Sequence, residues 1–444
     1  MKIKQFEDKA LSQYSYAVLS ENQSAVILID PARDIRPYLE YATACHAKII
    51  AVIETHPHAD FISSHKELHE QTGAIIYCSA QTGAAYPHQA FDDGQTITSG
   101  PVSFKAINTP GHSPDSISVL LTYNGKDHAV FTGDTLFIGD CGRPDLRENT
   151  GNQKALRMEL ARQMYHSLRE KLMPLEDHLI VYPAHGAGTL CGKDLRDANQ
   201  STIGEERKNN WSLQKMNVDQ FVAKLLEDPP FIPQYFPYDV EVNRQGAPAL
   251  QASLSTIHIT KPDAGFIPDE IVIDTRPAAD FKEGHLSGSF NLMLKGKFET
   301  WLGSILPPNE PFYLLAADMA TLQQALERAA SIGYEPFIKA GLIMRTSSEK
   351  QTPFDAEYFK QHLDEFTIID VRNASEVKHR QIFDHAINIP LPELRLRLKE
   401  IPLDKPIAVH CAGGYRSAAA SSILEAALPD NMEITDIGEH IKSF

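Results

Sequence analysis

No two cysteines in this chain are spaced as a C-x-x-C pair, and the five present, at positions 45, 78, 141, 191 and 411, are an odd number. Neither a disulfide framework nor a cysteine-rich structural zinc site is therefore indicated, and free thiols in a reducing compartment are expected. Basic runs are missing too. With 42 lysines and arginines against 58 acidic residues the formal charge is -16, which argues against a nucleic-acid surface, because counterion release needs clustered cations. No apolar stretch approaches the length of a membrane span, and the polar start Met1-Lys2-Ile3-Lys4 does not read as a signal peptide. The expectation is a soluble cytoplasmic protein with no nucleic-acid or membrane partner, whose 444 residues can form roughly two to four domains.

What is present centres on Thr55-His56-Pro57-His58-Ala59-Asp60, which follows the apolar run Ile49-Ile50-Ala51-Val52-Ile53 after Glu54. A buried strand ending in two histidines and an aspartate places three potential metal ligands where α/β sheets carry their chemistry. Taken alone, such histidines are as readily hydrogen-bonded structural groups. Three more motifs follow apolar runs of their own: Gly111-His112-Ser113, Thr132-Gly133-Asp134-Thr135 and Pro183-Ala184-His185-Gly186. Four such loops on one sheet edge favour a metal site.

In this order the four motifs resemble those of the metallo-β-lactamase fold, in the branch that holds glyoxalase II and the persulfide dioxygenases, over residues 1–245. The resemblance implies an αββα sandwich. One position departs from it: the first motif of the family ordinarily ends Asp-His, and here Phe61 follows Asp60. Phenylalanine cannot bind a metal, so the second site of a binuclear zinc hydrolase, built around Asp60, His185 and a shared Asp134, is incomplete. By resemblance to the persulfide dioxygenases, one Fe(II) per chain would be held by His56, His112 and Asp134. Two imidazoles and a carboxylate leave open positions for substrate and dioxygen, as in non-haem Fe(II) oxygenases. His58, Asp60 and His185 then orient the ligands and the substrate.

The remainder of this half reads as a β-α-β opening followed by shorter strands. Residues 14–30 form a hairpin with its turn at 21–24, helices run from Arg33 to Lys48 and from Ser63 to Thr72, and Asn124-Gly125 marks a second hairpin. Gly139-Asp140-Cys141-Gly142-Arg143-Pro144-Asp145 resembles the C-G-R-x-D stretch beside the metal pocket of persulfide dioxygenases, which makes Arg143 and Cys141 candidates for binding an anionic sulfur substrate. The alternative is an exposed turn. A long helix is expected over 151–171, and the proline-rich stretch from Asp228 closes the domain. Cys191, six residues after His185, either lines the pocket, the favoured reading, or holds substrate sulfur as a persulfide.

The second half carries a repeat. Ile271-Val272-Ile273-Asp274-Thr275-Arg276 with Ser289-Phe290-Asn291 corresponds to Ile368-Ile369-Asp370-Val371-Arg372 with Ile387-Asn388, and both copies resemble rhodanese domains, at 250–345 and 354–444. Only the second has a nucleophile. Its strand Ile407-Ala408-Val409-His410 runs into Cys411-Ala412-Gly413-Gly414-Tyr415-Arg416-Ser417 and then a helix of small residues. Backbone N–H groups of such a loop and the helix N-terminus stabilise a persulfide anion on Cys411, with Arg416 adding positive charge at the rim. The four residues between Cys411 and Arg416 resemble sulfur-handling rhodaneses; the related phosphatase loop is one longer. The first copy has Ala316-Ala317-Asp318 at this place and is expected to be silent.

The fold class expected is α/β, a metallo-β-lactamase sandwich followed by two rhodanese-like domains. The arrangement resembles the multidomain persulfide dioxygenase-sulfurtransferases. It implies oxidation of a low-molecular-weight thiol persulfide by O2 to sulfite, and conversion of sulfite and a second persulfide to thiosulfate at Cys411, in a homo-oligomer. The alternatives are a zinc-dependent thioester hydrolase of the glyoxalase II type with an accessory sulfurtransferase, or a persulfide carrier or sensor without turnover.

Overall fold

A computed structural model describes residues 1–20, 24–146, 153–262, 266 and 268–444, and resolves two compact units, 1–252 with 331–333, and 253–330 with 334–444. The first unit contains two six-stranded sheets. One runs in chain order through Lys2–Asp8, Gln13–Ser20, Ala25–Ile29, Lys48–Ile53, Ile75–Cys78 and Gln89–Ala90. The other is ordered Ser201–Thr202, Ile180–Pro183, Lys126–Gly133, Ile117–Tyr123, Val102–Asn108 and Thr96–Ser99.

Alternation along the strands builds the layers. Tyr16 and Val18, Ile27 and Ile29, and Ala51 and Ile53 meet Phe104, Val119 and Phe131 of the other sheet in one cluster. The intervening residues Ala17, Leu19, Val26, Leu28 and Val52 face Tyr38, Ala42 and Leu68 on the helices Arg36–Ala44 and His65–Thr72. On the second sheet, Leu120, Val130 and Val181 face Met164 and Leu168. The central strands of both sheets are thus buried on both sides, which is why they read as nearly continuous apolar runs. Gly73, at φ 75°, ends the second helix, and Asn124 and Gly125, at φ 51° and 72°, form the tight turn between the paired residues Tyr123 and Lys126.

Some boundaries differ from expectation. The turn of the first hairpin at 21–23 and the start of the long helix at 151–152 lie outside the described residues; the helix runs Gln153–His166 and continues as a wider π-helical turn over Ser167–Leu172. The proline-rich stretch from Asp228 leads to the end of the first unit's main segment at 252, but it carries a helix on the way. Pro237, in the first turn of Phe236–Gln245, starts this helix, because its fixed φ suits that position.

The second unit holds two parallel sheets, ordered Ile259–Thr260, Ile338–Ile343, Phe312–Ala316, Ile271–Asp274, Ser289–Asn291, and Ile387–Asn388, Thr367–Asp370, Ile407–His410, Ile434–Asp436. The repeat has the same physical job in both. Asn291 Nδ2 donates to the carbonyls of Asp274 and Arg276 at 3.2 and 2.9 Å, and Asn388 Nδ2 donates to those of Asp370 and Arg372 at 2.9 and 2.8 Å. Arg276 and Arg372 each turn back on the aspartate two residues earlier. The lobes pack directly: Asn291 N donates to Ser422 Oγ at 2.8 Å, and Tyr415 Oη donates to the Met293 carbonyl at 2.7 Å.

Candidate functional site

The four loops named from the sequence follow the strands Lys48–Ile53, Val102–Asn108, Lys126–Gly133 and Ile180–Pro183, and they converge. His56 Nε2 lies 3.8 Å and His112 Nε2 3.5 Å from Asp134 Oδ2, with all three side chains buried. One ligand atom from each lies within 4.8 Å of the others. Such separations are too long for hydrogen bonds and match those across a shared ion, whose bonds to nitrogen and oxygen are about 2.0–2.2 Å. Among the described residues Asp134 Oδ2 is buried and accepts no hydrogen bond, which fits a carboxylate oxygen reserved for a cation.

The surroundings fix how each ligand is presented. His112 Nδ1 donates to the Arg143 carbonyl at 2.8 Å, which leaves Nε2 with its lone pair. His56 Nδ1 lies 3.0 Å from Thr55 Oγ1, whose own proton goes to Asp30 Oδ2 at 2.8 Å, so this hydroxyl accepts from His56 and again Nε2 carries the lone pair. Asp134 Oδ1 accepts from His185 Nδ1 at 2.8 Å, and His185 Nε2 is 2.8 Å from Asp60 Oδ2. Burial alone would raise the Asp134 pKa, but the His185 charge and hydrogen bond, helped by His112 and His56, hold it well below the usual carboxylate range. Burial opposes the charge on His185, yet Asp134 and Asp60 on either side push its pKa well above the usual histidine value.

Glycine is required at one close approach. A Cβ on Gly142 would stand 1.9 Å from the Asp134 carbonyl oxygen and 3.1 Å from His112 Cβ, so only glycine lets the 139–143 loop pass the ligands.

His58 turns to Asp30, with Nε2 3.1 Å from Oδ1, and lies outside the His56, His112, Asp134 group. The Cys191 sulfur falls with Asp60 and His185, and burial followed by the nearby Asp60 and Asp134 charges raises its pKa well above the usual value. The Arg143 guanidinium is buried and forked onto Asp145 at 2.6 and 2.7 Å, and its carbonyl accepts from His112. Cys141 is buried with Leu136, Val130 and Met164 in the layer between sheet and helices, and with Arg143 and Gly192 it borders a small cavity.

At the second site, the Cys411 sulfur accepts from the backbone N–H groups of Gly414 at 3.1 Å and Gly413 at 3.5 Å, with Ser417 Oγ at 3.7 Å. Gly414, at φ 99°, opens the helix Tyr415–Ala427. Ala412 and Gly413 are exposed, while Tyr415 is held by Met293. Arg416 donates two hydrogen bonds to Glu376, at 2.6 and 2.8 Å. Burial alone would raise the Glu376 pKa, but these bonds and the Arg416 charge outweigh it and leave it below the usual glutamate value.

The family model described as the metallo-beta-lactamase superfamily matches residues 9–185, and that of the rhodanese-like domain matches 355–438. A solved structure of a metallo-beta-lactamase from Staphylococcus aureus subsp. aureus COL is 30% identical, with a TM-score of 0.69 over 77% of this chain and 99% of that one. The chain belongs to the metallo-beta-lactamase superfamily. Among other superfamily relatives, the mitochondrial persulfide dioxygenase ETHE1 of Bos taurus is 28% identical over 49% of this chain and 77% of its own. A hydroxyacylglutathione hydrolase of Gloeobacter violaceus is 34% identical over 39% of this chain and 63% of its own.

Three residues of these sites escaped the sequence reading. Asp30 binds Thr55 N and Oγ1 and His58, and its place at the end of the strand Ala25–Ile29 was a usable signal. Asn243 donates to the His58 and Phe61 carbonyls at 2.9 and 2.7 Å and accepts from Ser63 N at 2.8 Å. Glu376 was seen only as part of the repeat. For the last two nothing in the local sequence marks the role, since their partners lie far along the chain.

Proposed function

We propose that the chain is a non-haem Fe(II) persulfide dioxygenase coupled to a rhodanese sulfurtransferase. The observation that carries this is the group His56, His112 and Asp134 beside Phe61, a three-ligand site where a binuclear hydrolase needs a further histidine. The likeness to a persulfide dioxygenase and the rhodanese-like domain support it. Fe(II), when bound, supplies open positions for substrate sulfur and O2. His112 and His56 present Nε2, and His185 steadies the remaining carboxylate oxygen of Asp134. The protonated Cys191 thiol lines the site beside Asp60 and His185.

The balanced first reaction is R–S–SH + O2 + H2O → R–SH + SO3²⁻ + 2 H⁺. At the second site the Cys411 thiolate attacks the outer sulfur of another persulfide, the S–S bond breaks, and R–S⁻ leaves with the electron pair and takes a proton. Sulfite then attacks that outer sulfur, releasing thiosulfate and restoring the Cys411 thiolate. Gly413 and Gly414 stabilise the sulfur anion with their N–H groups. The working cell compartment proposed is the cytoplasm, and the working form a homo-oligomer.

The test is oxygen uptake by protein loaded anaerobically with Fe(II), on addition of glutathione persulfide. Rapid uptake that His56→Ala abolishes is expected. Iron-loaded protein that consumes no oxygen with any persulfide, yet cleaves thioesters when zinc-loaded, would move the assignment to the hydrolase.

A further inference from the structure

A cavity of about 1380 Å³ lies within the second unit, between the two rhodanese-like lobes. The loops after the strands of both parallel sheets close it. The silent lobe supplies Thr275, Leu294 and Ala317, and the active lobe supplies Gly413, Gly414 and Ile437, each just beyond the carboxyl end of its strand. Parallel α/β sheets bind ligands at that edge. Here one crevice is walled by two such edges.

The cavity adjoins the loop that holds the sulfur. Gly413 and Gly414, whose N–H groups hold the Cys411 sulfur, are themselves part of its wall. A Cβ built on Gly413 would meet nothing within 4 Å, so the loop is open on that side. The lobes are fastened around the space by Lys282, which reaches Asp436 at 2.7 Å, and by the bond from Tyr415 to Met293.

Size and charge indicate what fits. Inorganic sulfite or thiosulfate would fill a small part of a cavity larger than the about 300–1,000 Å³ usual for organic ligands. A trap for a small dianion would also concentrate unneutralised cations. Here Lys282 is paired with Asp436, Arg276 with Asp274 and Arg328 with Glu299, and the further lining cation Lys295 is outnumbered by Asp318, Glu327 and Glu439. Met293, Leu294 and Phe354 add apolar wall, which suits a body of mixed polarity.

We infer that the silent lobe is the substrate-binding half of the sulfurtransferase: its wall of the cavity holds the organic body of a thiol persulfide while Cys411 takes the outer sulfur. This rests on the sulfurtransferase reading above and adds to it where the carrier thiol binds. The transfer forms the Cys411–S bond to the outer sulfur, breaks the donor S–S bond and consumes no external oxidant or reductant.

The test fills the silent wall in the full-length protein with Thr321→Trp and, separately, Gln324→Trp, both on the silent-lobe helix Met319–Ala330 and lining the cavity. Sulfur transfer to cyanide is measured with glutathione persulfide, coenzyme A persulfide and thiosulfate as donors. Mass spectrometry of Cys411 after thiosulfate treatment, which detects one added sulfur atom, shows whether each variant has kept its fold. The ratio of kcat/KM for the organic persulfides to that for thiosulfate should fall at least tenfold, mainly through KM. An unchanged ratio in variants that thiosulfate still charges would overturn the inference. So would wild-type protein that is charged by thiosulfate and by neither organic persulfide, in which case Cys411 keeps its sulfur chemistry. Failure of every donor to charge Cys411 would remove both this inference and the sulfurtransferase reading.

Discussion

The Phe61 ring lies 4.3 Å from the His58 imidazole and 6.4 Å from that of His185, so the space a further histidine would use is filled by carbon. Phe61→His would return a nitrogen donor beside Asp60 and His185. Zinc loading followed by metal analysis should then give close to two ions per chain where the wild type gives one; one ion in both would mean that Phe61 does not set the stoichiometry. Asn243 acts on the same loop through the backbone. Asn243→Ala would leave two carbonyls and one N–H without their partner in a buried place, at about 1–3 kcal/mol for each group left unsatisfied. Denaturant unfolding of the first unit and metal affinity should both weaken, and a variant unchanged in either would show that the helix is not what holds the loop. That His56, His112 and Asp134 group together could be read in advance because histidine and aspartate are seldom placed together at the ends of apolar strands. Asn243 could not, because its partners are backbone groups about 180 positions away. Nor could the direction of the Arg143 guanidinium, which Asp145 settles two residues on.

At the scale of elements, the sandwich was legible because its strands are buried on two faces, and the hairpin turn because Asn124-Gly125 has few other uses. The helix Phe236–Gln245 was not, since prolines that read as a terminus instead begin it. The short helix Ala374–His379 shows how one side chain serves two elements. Glu376 accepts from Asn373 N at the helix start, at 3.0 Å, and holds the Arg416 fork beside the sulfur loop. Its pKa is depressed in the fold, so its stabilisation is complete above the ordinary glutamate value of about 4 and is lost as pH falls through the lower folded value. Melting of the second unit followed from pH 6 downward should therefore fall more steeply in the wild type than in Glu376→Gln. Parallel curves would mean that the pair, whose glutamate side chain is 35% exposed and partly screened, contributes nothing measurable.

For the whole molecule, the repeat disclosed two similar sheets, but not that they share one compact unit. That depends on contacts such as Asn291 with Ser422 and Tyr415 with Met293, made between residues far apart in the chain. The proposed metal ligands lie in the first unit and Cys411 in the second, so the proposed reactions can be separated by one substitution. Cys411→Ser removes the sulfur that accepts the donor's outer atom and touches none of the metal ligands. In the wild type each thiosulfate needs two persulfides, one oxidised to sulfite and one surrendering its outer sulfur, so one O2 disappears for every two persulfides. In Cys411→Ser oxygen uptake should continue, sulfite should accumulate in place of thiosulfate, and one O2 should disappear for every persulfide. Simultaneous oxygen-electrode and ion-chromatography traces read both quantities. Thiosulfate formation at the wild-type rate and ratio, with non-enzymatic sulfite–persulfide exchange subtracted, would show that sulfur transfer does not pass through Cys411 and that the division between the units is wrong.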